Sequence, residues 1–186
     1  MFERAFFNFS VAVLLLPNDD VRRNKAHYFY VVSLRHMFKY GKAYANSPKI
    51  EGVVTWVHSD YKEVSTWQMI KFGALKAVYK LGAKNIKKAI DFIEFADKTQ
   101  ASVIEEPHYH LTWLAVEPKL QKKGIGTELM HAVLNQFSKE NIKCFLDTQD
   151  KENVDYYKRF GFRLVIECHN EDLDVPFWGM LWEPET

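Results

Sequence analysis

A pair of glycines, Gly124 and Gly126, stands between an apolar run at residues 108–116 and a segment of helical periodicity that begins at Ile125. A glycine loop that opens a helix exposes backbone N–H groups at the positive end of the helix dipole, and such groups suit phosphate oxygens. A Walker loop needs a different glycine, lysine and hydroxyl spacing, and a dinucleotide fingerprint needs a third glycine where Leu129 stands. The sequence therefore indicates a phosphate-binding loop of another type.

Two histidines, His108 and His110, alternate along one face of the apolar run. An imidazole has a pKa of about 6.5 and can accept a proton near neutral pH, although a strand histidine is more often a structural residue. Glu117 at the end of the run is another candidate proton acceptor. The histidine pair does not indicate a metal site, because Cys144 and Cys168 are distant in sequence.

Apolar periodicity and turn residues divide the chain into helices and strands. Asn18 can cap a helix, and Ser65 with Gln68 has the spacing of a capping box. The predicted helices cover residues 5–16, 19–40, 66–81, 86–96, 125–137 and 151–160. The predicted strands cover residues 40–46, 50–58, 108–116, 143–148, 162–168 and 177–182. Because strands alternate with helices in the last third, we expect an α/β sheet.

The composition indicates one globular domain over residues 1–186 without a strong charge. The chain has 25 Lys and Arg against 24 Asp and Glu, so no overall field favours nucleic acid or an anionic membrane. The apolar segment 5–16 is shorter than the roughly 20 residues of a membrane-spanning helix and lacks the flanks of a signal peptide. Two distant cysteines are typical of a reducing compartment. We expect a cytoplasmic protein with no nucleic-acid or membrane partner.

Two motifs resemble the signature of the GNAT acyltransferase superfamily. The first is Gln121-Lys122-Lys123-Gly124-Ile125-Gly126-Thr127, which follows Leu114-Ala115-Val116-Glu117-Pro118. It is similar to the family's acetyl-CoA pyrophosphate loop, Gln/Arg-x-x-Gly-x-Gly/Ala after a strand. The second is Asn153 with Tyr157-Lys158-Arg159-Phe160-Gly161-Phe162, which resembles the family's Asn-x-x-x-Tyr-x-Lys/Arg-x-Gly-Phe segment. One helix and one strand separate the motifs, as in the family.

The resemblance implies the GNAT fold, a central mixed and mostly antiparallel sheet of about six strands flanked by helices. The family's usual first strand is expected to be absent, or replaced by something within residues 1–16. Residues 61–106 are expected to insert two helices between the third and fourth family strands. Because extra elements near a site are often lids, we expect this insert to cover the acceptor side.

The resemblance also implies a function, the transfer of the acetyl group of acetyl-CoA to a primary amine by direct attack in a ternary complex. The expected contacts of the coenzyme are Leu114, Ala115 and Val116 with the pantetheine arm, Gln121, Lys122, Lys123, Gly124, Ile125, Gly126 and Thr127 with the pyrophosphate, and Asn153 with the arm.

Two residues carry the catalytic roles that the resemblance implies. Tyr157 matches the family's tyrosine beside the coenzyme sulfur. Its ordinary pKa of about 10 exceeds the value of about 8.5 for a thiol, so its hydroxyl stays protonated at neutral pH and can hydrogen-bond the departing thiolate, which makes it the candidate general acid. His110 lies where some amine acetyltransferases of the family carry a histidine, and it is the candidate general base. The family chemistry uses no metal.

Two other functions fit the same motifs. A non-catalytic acyl-CoA-binding or sensing domain would keep the loop without a working acceptor site, and a related fold could transfer an aminoacyl or another acyl group.

The acceptor is expected to be a small molecule or a peptide, and a homodimer is compatible with an uncovered sheet edge. Arg22, Arg23 and Lys25 are interpreted as a solvated helix face, and Tyr156 is interpreted as a core residue.

Overall fold

The computed structural model describes residues 1–61 and 65–184. Its helices are α1 (Phe2–Ala5), α2 (Ser10–Leu15), α3 (Asp19–Tyr40), α4 (Thr66–Phe72), α5 (Ala74–Leu81), α6 (Ala83–Ala101), α7 (Ile125–Glu140) and α8 (Lys151–Lys158), with a 3-10 turn at Pro118–Leu120. Its strands are β1 (Lys42–Ala45), β2 (Gly52–His58), β3 (His108–Val116), β4 (Lys143–Thr148), β5 (Arg163–Asn170) and β6 (Val175–Trp182). Over these described residues, none of the helices has the length and apolar character needed to cross a bilayer.

The strands form one six-stranded sheet in the order β1-β2-β3-β4-β6-β5. β3 and β4 run parallel, whereas every other pair of neighbours is antiparallel. The prediction of a mixed and mostly antiparallel sheet flanked by helices is therefore confirmed. β1 forms one edge of the sheet, and all four of its residues are exposed.

Helices cover both faces of the sheet. α7 and α8 pack on one face, which we call the α7 face, over a core that includes Trp56, Leu129, Phe137, Leu146 and Met180. α1, α2, α3, α5 and α6 pack on the other, which we call the α3 face, over a core that includes Leu15, Tyr30, Val53, Leu81 and Ala115. The inner strands β2 and β3 therefore send alternate side chains into two separate cores.

The long helix α3 begins and ends where the sequence predicts. Asn18 caps its first turn, because the Asn18 side chain accepts a hydrogen bond of 2.9 Å from the Val21 N–H. Gly41 ends it, and the chain turns there directly against the carbonyl of Trp56. A Cβ at residue 41 would collide with that backbone oxygen, so only glycine allows this close approach.

Arg22 is buried, contrary to the expectation of a solvated helix face. Its side chain is only 3% exposed, and its guanidinium donates hydrogen bonds to the carbonyls of Phe7 (2.7 Å) and Leu16 (2.6 Å). A salt bridge to Asp19 balances its charge. Arg22 therefore fastens the N-terminal segment to α3, whereas Arg23 and Lys25 are exposed as predicted.

The prediction of one helix over residues 5–16 is wrong, because α1 ends at Ala5 and only Ser10–Leu15, the helix α2, is helical in the rest of this segment. The carbonyl of Phe7 bonds to Arg22 instead of a helical N–H, which interrupts the helix between them. No strand forms in residues 1–16, all of which the structure describes, so this segment does not supply the family's usual first strand.

Within the described part of the insert, residues 61 and 65–106, there are three helices, so the expectation of two is wrong. The capping box of Ser65 and Gln68 is present at the start of α4. Gly73 then adopts a left-handed conformation with a φ of 102°, which breaks the predicted helix into α4 and α5. α5 and α6 pack on the α3 face through Ala77, Leu81 and Ala89.

Candidate active site

β3 and β4 separate and form a fork. They pair in parallel only at His108, Tyr109 and His110, and the last pair joins His110 to Phe145. Beyond it, β3 continues to Val116 on the side of β2, and β4 continues to Thr148 on the side of β6. The edge of residues 111–116 that faces β4 therefore has no partner strand, and its backbone groups are open to a ligand.

A β-bulge bends β3 at the fork. The pairing with β2 shifts between Thr55 and Trp56, so Thr112 is an extra residue in β3. The hydroxyls of Thr55 and Thr112 lie 2.7 Å apart, and Thr112 also donates to the carbonyl of Thr55 at 3.1 Å. A bulge increases the local twist of a strand, which accounts for the departure of β3 from β4.

The loop before α7 forms a cradle of backbone N–H groups at the open end of the fork. Lys122 and Gly124 have positive φ angles of 60° and 90°, and alternation of this kind turns successive N–H groups toward one point. α7 begins at Ile125 without a side-chain cap, so its first N–H groups lack internal partners. The space that a Cβ of Gly124 would occupy is open to at least 4 Å. The cradle therefore fits a pyrophosphate.

Close packing holds this loop against both sides of the fork. Gln121 donates a hydrogen bond of 3.2 Å from its amide to the carbonyl of Val116. A Cβ at Gly126 would lie 2.8 Å from the Tyr156 hydroxyl oxygen and 3.7 Å from Val116. Tyr156 is half-buried and faces the loop as well as the core, so its interpretation as a core residue is incomplete.

Tyr157 lies on α8, half-buried against the core of the α7 face, with its ring 5.8 Å from that of Phe162. Burial raises the pKa of its hydroxyl, and Tyr156 and Asp147 raise it further. The hydroxyl is therefore protonated at neutral pH. It makes no hydrogen bond within residues 1–61 and 65–184, so it is free to donate to a ligand.

His110 and Asp147 join the two strands across the fork. His110 Nε2 lies 3.1 Å from Asp147 Oδ1, and the Gln149 amide donates to Asp147 Oδ2 at 2.8 Å. His110 also contacts the ring of Phe145 at 5.7 Å. Sequence reasoning missed Asp147 and Gln149, although two polar side chains at the end of an apolar strand were a visible signal.

The pleat of the strands separates His110 from Tyr157. Tyr109 and Leu111 point into the core of the α7 face, so His110 between them points to the α3 face. Asp147 follows Leu146, which belongs to the α7 face, and it shares the face of His110. The candidate base His110 and the candidate acid Tyr157 thus lie on opposite sides of the fork.

An open cleft of about 620 Å³ adjoins the end of β4 on the side of the N-terminal segment. Its lining residues are Asn8, Ser10, Val13, Leu14, Leu173, Asp174, Val175 and Pro176. Ser10 Oγ donates to Asp150 Oδ1 at 2.6 Å and to the carbonyl of Gln149 at 3.3 Å. The cleft therefore lies directly beside the residues that hold Asp147.

Other sequence-predicted residues have structural partners. Asn153 donates a hydrogen bond of 2.9 Å to Thr148 and ties α8 to β4. Glu117 forms an ion pair with Arg4, and this hydrogen bond and charge lower the pKa of Glu117, which makes it a poor base. The side chain of Ala115 is buried in the core of the α3 face, whereas Leu114 packs on the α7 face.

His108 is a structural residue. Its Nε2 accepts a hydrogen bond from the Gln100 amide at 2.5 Å, and its Nδ1 donates to the carbonyl of Glu106 at 2.7 Å. Burial lowers the pKa of His108, so the neutral ring is favoured. Both ring nitrogens are occupied, and His108 has no free nitrogen for the fork.

Known proteins resemble this chain. The family model described as an acetyltransferase (GNAT) domain matches residues 45–184. An uncharacterized N-acetyltransferase of Schizosaccharomyces pombe is 27% identical over 98% of this chain and 76% of its own length. Two solved structures share the fold. One is a Corynebacterium glutamicum protein described as histone acetyltransferase HPA2 and related acetyltransferase, which is 15% identical, covers 100% of this chain and 88% of its own, and has a TM-score of 0.65. The other is a Drosophila melanogaster polyamine N-acetyltransferase, which is 13% identical, covers 72% of this chain and 69% of its own, and has a TM-score of 0.51. The fork, the glycine loop and the matched domain together show that this chain is an acetyltransferase of the GNAT family.

Proposed function

We propose that this enzyme transfers the acetyl group of acetyl-CoA to a primary amine by direct attack in a ternary complex. The observation that carries the proposal is the fork, whose strands stop pairing at His110 and Phe145 and open toward the loop at Gly124. We call the α7 side of the fork, with the loop and Tyr157, the donor side. We call the α3 side, with the cleft and His110, the acceptor side.

The donor side suits a long coenzyme that ends in a thioester. The cradle at Lys122, Gly124 and the N-terminus of α7 would hold the pyrophosphate, and Lys122 and Lys123 are exposed and add positive charge. The open edge of residues 111–116 would bond to the pantetheine arm as a partner strand would. This arrangement would bring the thioester to the closed end of the fork, where β3 and β4 still pair at residues 108–110.

The acceptor side suits an amine. An amine that enters beside Asn8 and Ser10 would approach the closed end of the fork from the face of His110. The amine nitrogen forms a bond to the carbonyl carbon, the carbon–sulfur bond breaks, and the thiolate takes a proton from the Tyr157 hydroxyl. One amine proton passes to His110, and the amide nitrogen of the product keeps the other. His110 then releases its proton to solvent, and the Tyr157 oxygen regains one from solvent, so that one proton in total moves from the amine to the thiol. Direct attack requires only that the amine nitrogen reach the face of the carbonyl group, with the reacting atoms about 3–3.5 Å apart.

Release of free thiol from acetyl-CoA across a panel of primary amines tests this function, together with a thermal-shift titration by acetyl-CoA. We expect stabilisation by acetyl-CoA and thiol release with at least one amine class. Stabilisation without turnover on any amine would favour a non-catalytic acyl-CoA-binding domain. Turnover only with another acyl donor would favour a different acyl transfer, and no stabilisation by any acyl-CoA would overturn the proposal.

We also propose a cellular setting and partners for this enzyme. Cys144 and Cys168 are free thiols, as expected in a reducing cytoplasm. The net charge of +1 supports a small amine partner over nucleic acid or a membrane surface. The exposed edge strand β1 is where a homodimer would form. Fluorescence localisation and light scattering test the location and the oligomeric state.

A further inference from the structure

We propose that Asp147 is a positioning residue that fixes the tautomer of His110, so that Nδ1 of the ring is the atom that accepts the amine proton. The inference rests on the proposed function, because it assumes that His110 receives this proton. It concerns a residue that no motif marks, at a place where the backbone pairing of β3 and β4 has just ended.

The geometry of Asp147 suits a positioning role. Phe145 forms the last backbone pair with His110, and Asp147 lies two residues further along β4. Its two carboxylate oxygens have different partners, Oδ1 with His110 Nε2 at 3.1 Å and Oδ2 with the Gln149 amide at 2.8 Å. Gln149 is 3% exposed, so this amide is held inside the protein. The orientation of the carboxylate is therefore fixed from the side opposite the histidine.

The partner at Nε2 determines where the ring can accept a proton. A carboxylate only accepts hydrogen bonds, so the neutral ring carries its hydrogen at Nε2 and its lone pair at Nδ1. Within residues 1–61 and 65–184, His110 Nδ1 has no hydrogen-bond partner. When Nδ1 takes a proton from the amine, the ring becomes a cation, and the Asp147 carboxylate balances that charge without moving. The proton then passes to solvent when the ring returns to its neutral form.

A second histidine–carboxylate pair shows why this one is distinctive. His169 Nε2 lies 3.0 Å from Asp174 Oδ1, which is nearly the same contact. The Asp174 side chain is 96% exposed there, whereas that of Asp147 is 15% exposed. Exposed pairs hold little orientation against solvent. Of these two pairs, the one at the fork combines this contact with burial and with a buried amide that holds the carboxylate.

Three variants test the role through kcat with the best amine of the panel. Asp147→Asn keeps the shape but loses the charge and one acceptor, and we expect kcat to fall about 10-fold to 100-fold with the KM for acetyl-CoA unchanged. Asp147→Asn in a His110→Gln background should cause no further loss, because the residue acts through His110. Asp155→Asn, an exposed carboxylate on α8, is the matched control and should leave kcat unchanged. A full rate in Asp147→Asn, or additive losses in the double variant, would overturn the proposal.

The 15N spectrum of the imidazole provides a readout that does not depend on activity. We expect the neutral His110 ring of the free enzyme to show a protonated Nε2 and an unprotonated Nδ1, and Asp147→Asn to mix the two tautomers. A protonated Nδ1 in the unmodified enzyme would overturn the inference even if the enzyme acetylates amines. If no amine is acetylated, the proposed function fails, and the spectrum still decides the tautomer.

Discussion

The donor side and the acceptor side of the fork are built by different means. The donor side uses backbone groups from one short stretch, with Lys122 and Gly124 in left-handed conformations and the free N-terminus of α7. The acceptor side uses side chains from distant stretches, because the N-terminal segment, β3 and β4 meet through Ser10, His110 and Asp147. The backbone site tolerates sequence change except where glycine or charge matters, whereas each side chain of the acceptor side depends on its partners.

The largest effect is expected from a variant that disrupts the acceptor side alone. Arg22→Ala removes the donors of buried carbonyls at Phe7 and Leu16, and we expect the N-terminal segment to lose about 3 kcal/mol of local stability. Amide hydrogen exchange in residues 1–16 should therefore accelerate by roughly 100-fold. The Kd for acetyl-CoA should stay within about twofold, since the donor side is separate.

Arg23→Ala is the matched control, because Arg23 is the exposed neighbour on the same helix. It should leave exchange in residues 1–16 nearly unchanged. A large loss of acetyl-CoA affinity in Arg22→Ala would show that the two sides are not independent.

The next largest effect is expected from a variant that disrupts the donor side alone. Thr127 lies in the first turn of α7, where an acidic residue favours the helix but would repel a pyrophosphate. Thr127→Asp should raise the Kd for acetyl-CoA at least about 100-fold, measured by calorimetry, with no loss of thermal stability. Asn135→Asp adds the same charge on the exposed surface of the same helix and should have little effect. Equal changes in this Kd for the two variants would show that the loop does not bind the pyrophosphate of acetyl-CoA.

A smaller effect is expected from Tyr157, the proposed proton donor on the donor side. Tyr157→Phe should lower kcat about tenfold to 100-fold and leave the Kd for acetyl-CoA unchanged, because only the departing thiolate loses a proton source. Tyr156→Phe removes the neighbouring hydroxyl and should retain most of kcat. Steady-state rates with matched binding data check the pair, and an unchanged kcat in Tyr157→Phe would exclude it as the general acid.

The smallest effect concerns the closed end of the fork, which both sides share. Burial lowers the pKa of His108 in the folded protein, so the unfolded chain binds more protons between the lowered value and the ordinary value of about 6.5. The free energy of unfolding should therefore fall as pH decreases from 7.5 to 5.5. His108→Gln should reduce this fall by about 1 kcal/mol in urea titrations, while His36, whose pKa burial also lowers, accounts for a further part. An unchanged slope would show that the pKa of His108 is the same in the folded and unfolded states, so that burial does not lower it.

The same difference explains what the sequence could predict. The donor side is local, so Gly124, Gly126 and Tyr157 could be found from spacing and from the family resemblance. The three helices of the insert were harder to predict, because the periodic pattern continues across Gly73. Only the left-handed backbone of Gly73 reveals the break between α4 and α5. Arg22 is predicted from the sequence to lie on a solvated helix face because it is charged. Its burial depends on the carbonyls of Phe7 and Leu16, in an N-terminal segment whose sequence has no clear periodicity. Asp147 becomes a candidate only when the parallel pairing places it opposite His110.

Hydrogen exchange of the unmodified enzyme, with and without acetyl-CoA, tests the division between the two sides most directly. The account predicts slower exchange in peptides that cover residues 111–116 and 121–128, because the coenzyme would bond to those backbone groups. Exchange in residues 1–16 should stay the same until an amine is added. Protection of residues 1–16 by acetyl-CoA alone, with none at residues 121–128, would contradict the account.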